Sequence, residues 1–183
     1  MYPSCKALQH VTKHCVQPLA ECYDTGAPEL SGFRGCGPYA GAMTSLSDPE
    51  VREFLSQGTR TAKLAFVTAD GRPVINPVWF VVEGDELVFN TGKDTAKGKA
   101  IRRDPRVSIC VDLEEPPFGY YQIQGTATIS EDPAELVRTA TVIGGRYMGA
   151  DRAEEFGKRN GVPGELVVRV RPTKILGGVD MTG

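Results

Sequence analysis

Between Val88 and Val111 the chain must pass from one strand to another through a helix that carries almost no apolar surface. An apolar run ends in Asn90-Thr91-Gly92-Lys93-Asp94-Thr95. A short basic segment, Ala96-Lys-Gly-Lys-Ala-Ile-Arg-Arg103, follows, then Asp104-Pro105 and the apolar run Arg106–Asp112. A hydroxyl- and lysine-rich turn that opens a helix suits an anion, because the first N–H groups of a helix are unpaired and its dipole favours negative charge there. Thr91, Thr95 and Lys97 would add donors and positive charge.

The rest of the chain does not share that basic character. The formal net charge is −2 and the apolar share is 40% over 183 residues, the profile of one ordinary globular domain with a real core. Nothing in it favours nucleic acid or a membrane, and no apolar run is long enough to span a bilayer. The basic cluster of Lys93, Lys97, Lys99, Arg102, Arg103 and Arg106 is local. Alone it reads as a solvated helix face; its place at a strand-to-helix junction gives it meaning.

Cys5, Cys15, Cys22 and Cys36 crowd the first forty-odd residues with His10 and His14, and Cys110 stands alone beyond them. A His/Cys cluster suggests zinc, but no close Cys-x-x-Cys pair occurs. A disulfide framework would need an oxidising compartment, and no charged n-region followed by an apolar h-region is present; a cytoplasmic protein is expected. Residues 1–42 are rich in Gly, Pro and Cys and lack periodicity. Met43-Thr-Ser-Leu-Ser-Asp-Pro-Glu reads as a protein beginning, so residues 1–42 are expected to be a disordered upstream extension and 43–183 the folded domain.

Within that domain Ser47-Asp-Pro-Glu50 has the form of a capping box, with Ser47 as cap, before a helix presenting Val51, Phe54 and Leu55 and ending at Gly58. Residues 61–68 read as a strand and Asp70-Gly71 as a hairpin turn. Residues 73–82 read as the return strand, with Pro77 forcing an edge or bulge position. Strands follow over 86–91, 106–112 and 118–130, the last with a bend or bulge at Gly125, and over 165–170. Asp132-Pro-Ala-Glu135 opens a helix with Leu136, Val137, Ala140, Ile143 and Tyr147 inward, weakened at Gly144-Gly145. A short helix covers 151–158. About six antiparallel strands with peripheral helices predict a mainly β, α+β fold of small-barrel type.

No His lies past residue 14, so the domain can hold no Ser-His-Asp or Cys-His arrangement and no His-type zinc site. Cys110 lies mid-strand and reads as a buried small hydrophobe. There is no Gly-rich dinucleotide loop or P-loop. Glu114-Glu115 beside two prolines reads as a solvated loop. Any hard chemistry would belong to a cofactor bringing a phosphate and a flat ring.

Val78-Trp-Phe-Val-Val82 after an Asp-Gly hairpin, the segment Thr91–Val107, and Tyr121-Gln-Ile-Gln-Gly-Thr-Ala127 together resemble the pyridoxamine 5'-phosphate oxidase-like split β-barrel family. The closest likeness is to its branch using the deazaflavin coenzyme F420. The likeness spans roughly residues 47–179. It implies an FMN-binding-like split barrel and a homodimer with cofactor sites at the subunit interface. Thr91, Thr95, Ala96 and Lys97 would hold the phosphate. Ile75, Asn76, Pro77, Val78 and Trp79 would lie along the deazaflavin ring through their backbone, and Phe118, Gly119 and Tyr120 of the partner subunit would close the site. Arg102 and Arg103 would meet the acidic polyglutamate tail. The pattern departs at Thr95, where many members carry arginine near the phosphate. Tyr120 and Tyr121 point to opposite faces, so only one can face a ligand.

The resemblance implies an oxidoreductase passing a hydride between reduced F420 and a small conjugated organic acceptor, with no catalytic side chain. FMN is the alternative cofactor. A non-catalytic carrier of a flavin-like group or haem is the competing class, since no acid or base residue stands out.

Overall fold

The computed structural model describes residues 45–182. The start at Met43, the extension over 1–42 and the Cys/His cluster lie outside the described residues. Helix α1 covers Pro49–Ser56, with strands β1 (Ala62–Val67), β2 (Pro73–Val78), β3 (Val81–Glu83) and β4 (Glu86–Gly92) after it. Helix α2 (Ala96–Arg103) precedes β5 (Arg106–Asp112) and β6 (Phe118–Ser130). Helix α3 (Pro133–Met148), a single 3₁₀ turn and α4 (Ala153–Asn160) lead to β7 (Glu165–Asp180).

The seven strands form one antiparallel sheet in the order β2-β1-β5-β6-β7-β4-β3. β2 and β3 stand at its opposite edges, yet only Trp79 and Phe80 separate them in the chain. Two intervening residues reach about 11 Å at most, so the sheet must roll until its edges meet. That is a split β-barrel, as expected.

The expected single strand over 73–82 is therefore two strands. Its apolar run is continuous because both ends are core: Val78 and Phe80 are buried in the barrel, and Val81 is buried under α3. Pro77 lies in edge strand β2, where its missing N–H costs no ladder bond, and β2 pairs with β1 in unbroken register.

Alternating residues fill the barrel. Leu64, Phe66, Leu87, Phe89, Val107, Ile109, Val111, Tyr121, Ile123, Leu166, Val168 and Val170 point inward, with α1 (Val51, Phe54, Leu55) and α2 (Ala100, Ile101) packed against them. Burying each large side chain contributes about 2 kcal/mol. A second, smaller core lies outside the sheet, where Leu136 and Ile143 of α3 cover Val81, Val88 and Val167. Arg169 ties this layer down through Glu135 (2.6 Å), Glu83 (3.1 Å) and Glu86 (3.6 Å), and Arg138 adds a second bond to Glu83 at 2.8 Å.

Several local expectations shift. Asp48, not Ser47, caps α1 by accepting from the Glu50 N–H at 2.9 Å. Pro49 fixes the first helical position one residue later than the box pattern implied. Glu50 is spent instead on the buried Tyr121 hydroxyl, which donates to it at 2.9 Å. Val137 is exposed, because the buried stripe of α3 is Leu136, Thr139, Ala140, Ile143 and Gly144. α3 runs on through Gly144-Gly145 to Met148, and Gly144 has a packing reason: a Cβ there would stand 2.4 Å from the Phe156 Cβ, so the glycine admits α4. Cys110 is half-buried rather than fully enclosed.

β7 runs ten residues past its expected end. Its ladder with β6 slips between Gln124 and Gly125, which sets Pro172 opposite Gly125 and leaves Thr173 as the extra residue. A bulge is where a strand tolerates proline, and the expected irregularity at Gly125 is this bulge.

Candidate functional site

β4 pairs with β7 along Leu87–Gly92, but on its other edge β3 pairs only with Glu86, Leu87 and Val88. Among the described residues the β4 edge from Phe89 to Gly92 has no ladder partner on that side. Continuing the β3–β4 register backwards brings Trp79 abreast of Asn90 and Val78 abreast of Thr91. Because the sheet closes between β2 and β3, the open edge of β2 and the unpaired stretch of β4 lie on the two borders of that closure.

The turn is built by three local features. Thr95 is the N-cap of α2: its hydroxyl accepts from the Gly98 N–H at 3.1 Å and donates to the Gly92 carbonyl at 2.7 Å. The buried Thr91 hydroxyl stands 3.2 Å from it. Gly98 is required by close approach, since a Cβ there would meet the Gly92 oxygen at 2.4 Å. The cap consumes the Gly98 N–H, and Lys99 N–H bonds to the Thr95 carbonyl. Among the described residues the N–H groups of Ala96 and Lys97 keep no partner. They are the anion donors a helix start leaves over.

Lys97 is half-buried at this point and, among the described residues, takes no ion pair. Arg102 and Arg103 are committed: Arg102 pairs with Glu131 and Arg103 donates to the Val67 carbonyl. Arg106 binds Asp104 across both carboxylate oxygens, holding that carboxyl down to about 2. Lys93, Lys97 and Lys99 of the basic cluster take no side-chain partner among the described residues, and of these three Lys97 is the one that is half-buried.

The β2 side offers backbone. Ile75 is largely exposed and Pro77 is exposed, whereas Val78 is buried. The Asn76 amide donates to the Ile75 carbonyl at 3.0 Å. Trp79 remains 36% exposed and lies flat on Tyr147, with ring centroids 4.8 Å apart and planes 2° from parallel. It is neither a core aromatic nor free to swing without losing that stack. The crossover behind it is clamped. The Phe80 N–H donates to the Tyr147 hydroxyl (3.2 Å), which donates to the Arg60 carbonyl (2.7 Å). Arg146 donates to the carbonyls of Phe80 (2.8 Å), Leu55 (2.7 Å) and Gly58 (3.0 Å). Burial lowers the Arg146 guanidinium from its usual range and raises the Tyr147 phenol.

Phe118, Gly119 and Tyr120 do not adjoin the turn within one chain. Tyr120 pairs with Gly178 and Gly92 pairs with Glu165, at opposite ends of β7. About 40 Å of strand lies between them. Phe118 is 48% exposed with φ +56, a conformation rare for a bulky side chain. Tyr121 points into the core, so Tyr120 is the tyrosine of the pair that faces outward.

Three residues here escaped the sequence reading. Nothing in the sequence marks Arg146, and helical spacing marks Tyr147 only as an inward-facing residue. Asn90 is the third: both atoms of its amide are buried without a hydrogen-bond partner. An Asn ending an apolar strand before a turn carries no signal of that kind.

Comparison with known proteins supplies the family. The model of the pyridoxamine 5'-phosphate oxidase family matches residues 47–177. The chain belongs to that family. A solved F420 reductase is 27% identical, with a TM-score of 0.53 over 67% of this chain and 94% of its own. A conserved hypothetical protein from Mycobacterium tuberculosis is 24% identical, with a TM-score of 0.64 over 75% of this chain and 88% of its own. The haem-storage protein HutZ from Vibrio cholerae is 20% identical, with a TM-score of 0.58 over 74% and 98%. The last two show the fold alone. A search of the curated proteins finds no match. No helix among the described residues is long and apolar enough to cross a membrane.

Proposed function

We propose that the chain is an F420-dependent oxidoreductase acting as a homodimer on a small conjugated organic acceptor. The observation that carries this reading is the uncommitted set at the start of α2. Lys97 and the Ala96 and Lys97 N–H groups have no protein partner there among the described residues, and β2, with an open edge of its own, is joined to β3 by only two residues. A phosphate joined to a flat ring fits that pair of features: charge and amides for one end, exposed backbone for the other. The bound deazaflavin would supply the hydride. The chain's own residues bind, orient and exclude water.

Lys97 would hold the phosphate by a charge-assisted hydrogen bond. The β2 backbone from Ile75 to Trp79 would align the ring, and the Arg146 clamp would keep that segment from yielding. Phe118, Gly119 and Tyr120 open β6 and pair with the far end of β7 from the residue that pairs with the turn, which supports a contribution to a partner's site rather than to that of their own chain. Orientation at near-attack distance is enough to carry a hydride transfer without a side-chain nucleophile.

FMN is the second reading, favoured by the family's own flavin chemistry. Haem carriage has less support, since residues 45–182 contain no histidine to serve as an axial ligand.

Titration of the purified protein with oxidised F420 and with FMN, followed through Trp79, the single tryptophan of the chain, separates these readings. Selective quenching by F420 is expected. Preference for FMN would move the enzyme to the flavin branch, and binding of neither would overturn the functional reading while leaving the fold.

A further inference from the structure

The anion turn contains a carboxylate that the phosphate reading does not use. Glu165 opens β7 and pairs in register with Gly92 of the turn. Its Oε1 lies 3.3 Å from the point where a Cβ on Gly92 would stand, and the Thr95 methyl lies 3.2 Å from that point. The carboxylate lies against the turn closely enough that a side chain at Gly92 would push it back by a few tenths of an ångström. Glu165 is half-buried and, among the described residues, takes no ion pair within 4 Å. Burial raises its carboxyl above the ordinary range, and the Lys97 charge opposes that rise. The two side chains sense each other without joining. Other charges near the turn are Lys93 and Asp94, both exposed.

We propose that Glu165 sets the anion preference of this turn, favouring a singly charged phosphodiester over a doubly charged phosphomonoester. The inference rests on the phosphate assignment made above and adds a choice that assignment leaves open. Lys97 and two amides attract either anion. A fixed negative charge beside them subtracts from both, and the subtraction scales with the charge on the ligand. A phosphomonoester such as that of FMN carries close to two charges at neutral pH, while a phosphodiester carries one. The carboxylate therefore penalises the monoester about twice as much, on a logarithmic scale, as the diester. It acts through charge at the turn and touches neither the ring nor the acceptor.

The test compares wild type, Glu165→Gln and Lys97→Ala, each titrated with FMN, with the methyl phosphodiester of FMN and with F420. The first two ligands share one ring and differ by one charge at the phosphate. Glu165→Gln should tighten the diester by roughly threefold and FMN by roughly tenfold, the square of the smaller factor. Equal changes for the two esters, or none, would overturn the inference. Weaker binding of both would also overturn it, by showing that Glu165 serves to position Lys97. Lys97→Ala reports on the phosphate assignment itself: if it leaves every affinity unchanged, that assignment fails, and the Glu165 inference falls with it for a separately visible reason. Unchanged circular dichroism and melting temperature in Glu165→Gln keep a folding defect from imitating any of these results.

Discussion

At the Trp79–Phe80 crossover the polar groups are spent on the protein itself. Arg146 satisfies three carbonyls from α1, its following turn and the crossover, and Tyr147 bridges Phe80 to Arg60. Across the split, at Thr91–Lys97, a single threonine caps the helix and the strongest donors remain unspent. One border is braced and the other is left with binding capacity. The contrast teaches where stability and function should separate. Substitutions at the crossover should be read in the melting temperature, and substitutions at the turn in ligand affinity.

Removing the brace should give the largest effect. Arg146→Met keeps much of the apolar stem but leaves the Leu55, Gly58 and Phe80 carbonyls without their donor. A hydrogen bond from a charged group is worth about 1.5–3 kcal/mol, and unpaired carbonyls add to the loss. Counting the two part-buried bonds alone gives at least about 3 kcal/mol, which would lower the melting temperature by about 10 °C or more in a domain of this size. A calorimetric scan within about 2 °C of wild type would show that the crossover does not depend on this clamp.

The fold was more legible in the chain than the brace was. Period-two alternation gave most strands, and Asp-Pro signals gave the starts of α1 and α3, because those rules are local. The split of 73–82 into two strands was hidden since Val78, Phe80 and Val81 are all buried, in two different cores. The last ten residues of β7 were hidden because Pro172 and the Gly177-Gly178 pair look like breakers until the bulge opposite Gly125 is known. At the site, the turn could be read from Thr91, Thr95 and Lys97. Arg146, Asn90 and Glu165 could not, because their meaning comes from residues far off in sequence that the barrel brings alongside.

Lys97→Ala should come next, with the opposite signature. Its partial exposure and lack of an ion pair among the described residues predict a change in stability within about 0.5 kcal/mol. Losing a charge-assisted phosphate contact should weaken F420 binding by about thirtyfold, or about 2 kcal/mol. A variant that melts early but binds normally would reverse the division between the two borders. Asn90→Leu sharpens the same division. Its amide is buried without a partner, and such a group costs about 1–3 kcal/mol. Replacing it with an apolar side chain of similar size should raise the melting temperature by about 3 °C. A lower melting temperature would mean that the amide has a role in holding the fold.

The smallest expected effect concerns acid, and here the two regions should respond with opposite signs. Behind the crossover, Glu83 is held below the ordinary carboxylate range by its hydrogen bonds from Arg138 and Arg169, against burial. Glu135 is lowered first by Ser130 and then by Arg169. A carboxyl whose pKa is lower in the folded protein binds fewer protons there than in the unfolded chain. Its stabilisation is complete above about pH 4.5 and is lost as pH falls toward the folded value. Glu165 is shifted the other way by burial. The folded protein takes up its proton more readily than the unfolded chain, so acid relieves a cost at the turn while it dissolves the tie between α3 and the sheet. Urea midpoints measured from about pH 6 to about pH 3.5 should therefore fall less steeply in Glu83→Gln than in wild type, and more steeply in Glu165→Gln. Parallel acid limbs in all three proteins would mean that the Arg138–Glu83–Arg169 network does not hold α3 to the barrel and that the turn carboxylate is solvated as freely in the folded state as in the unfolded one.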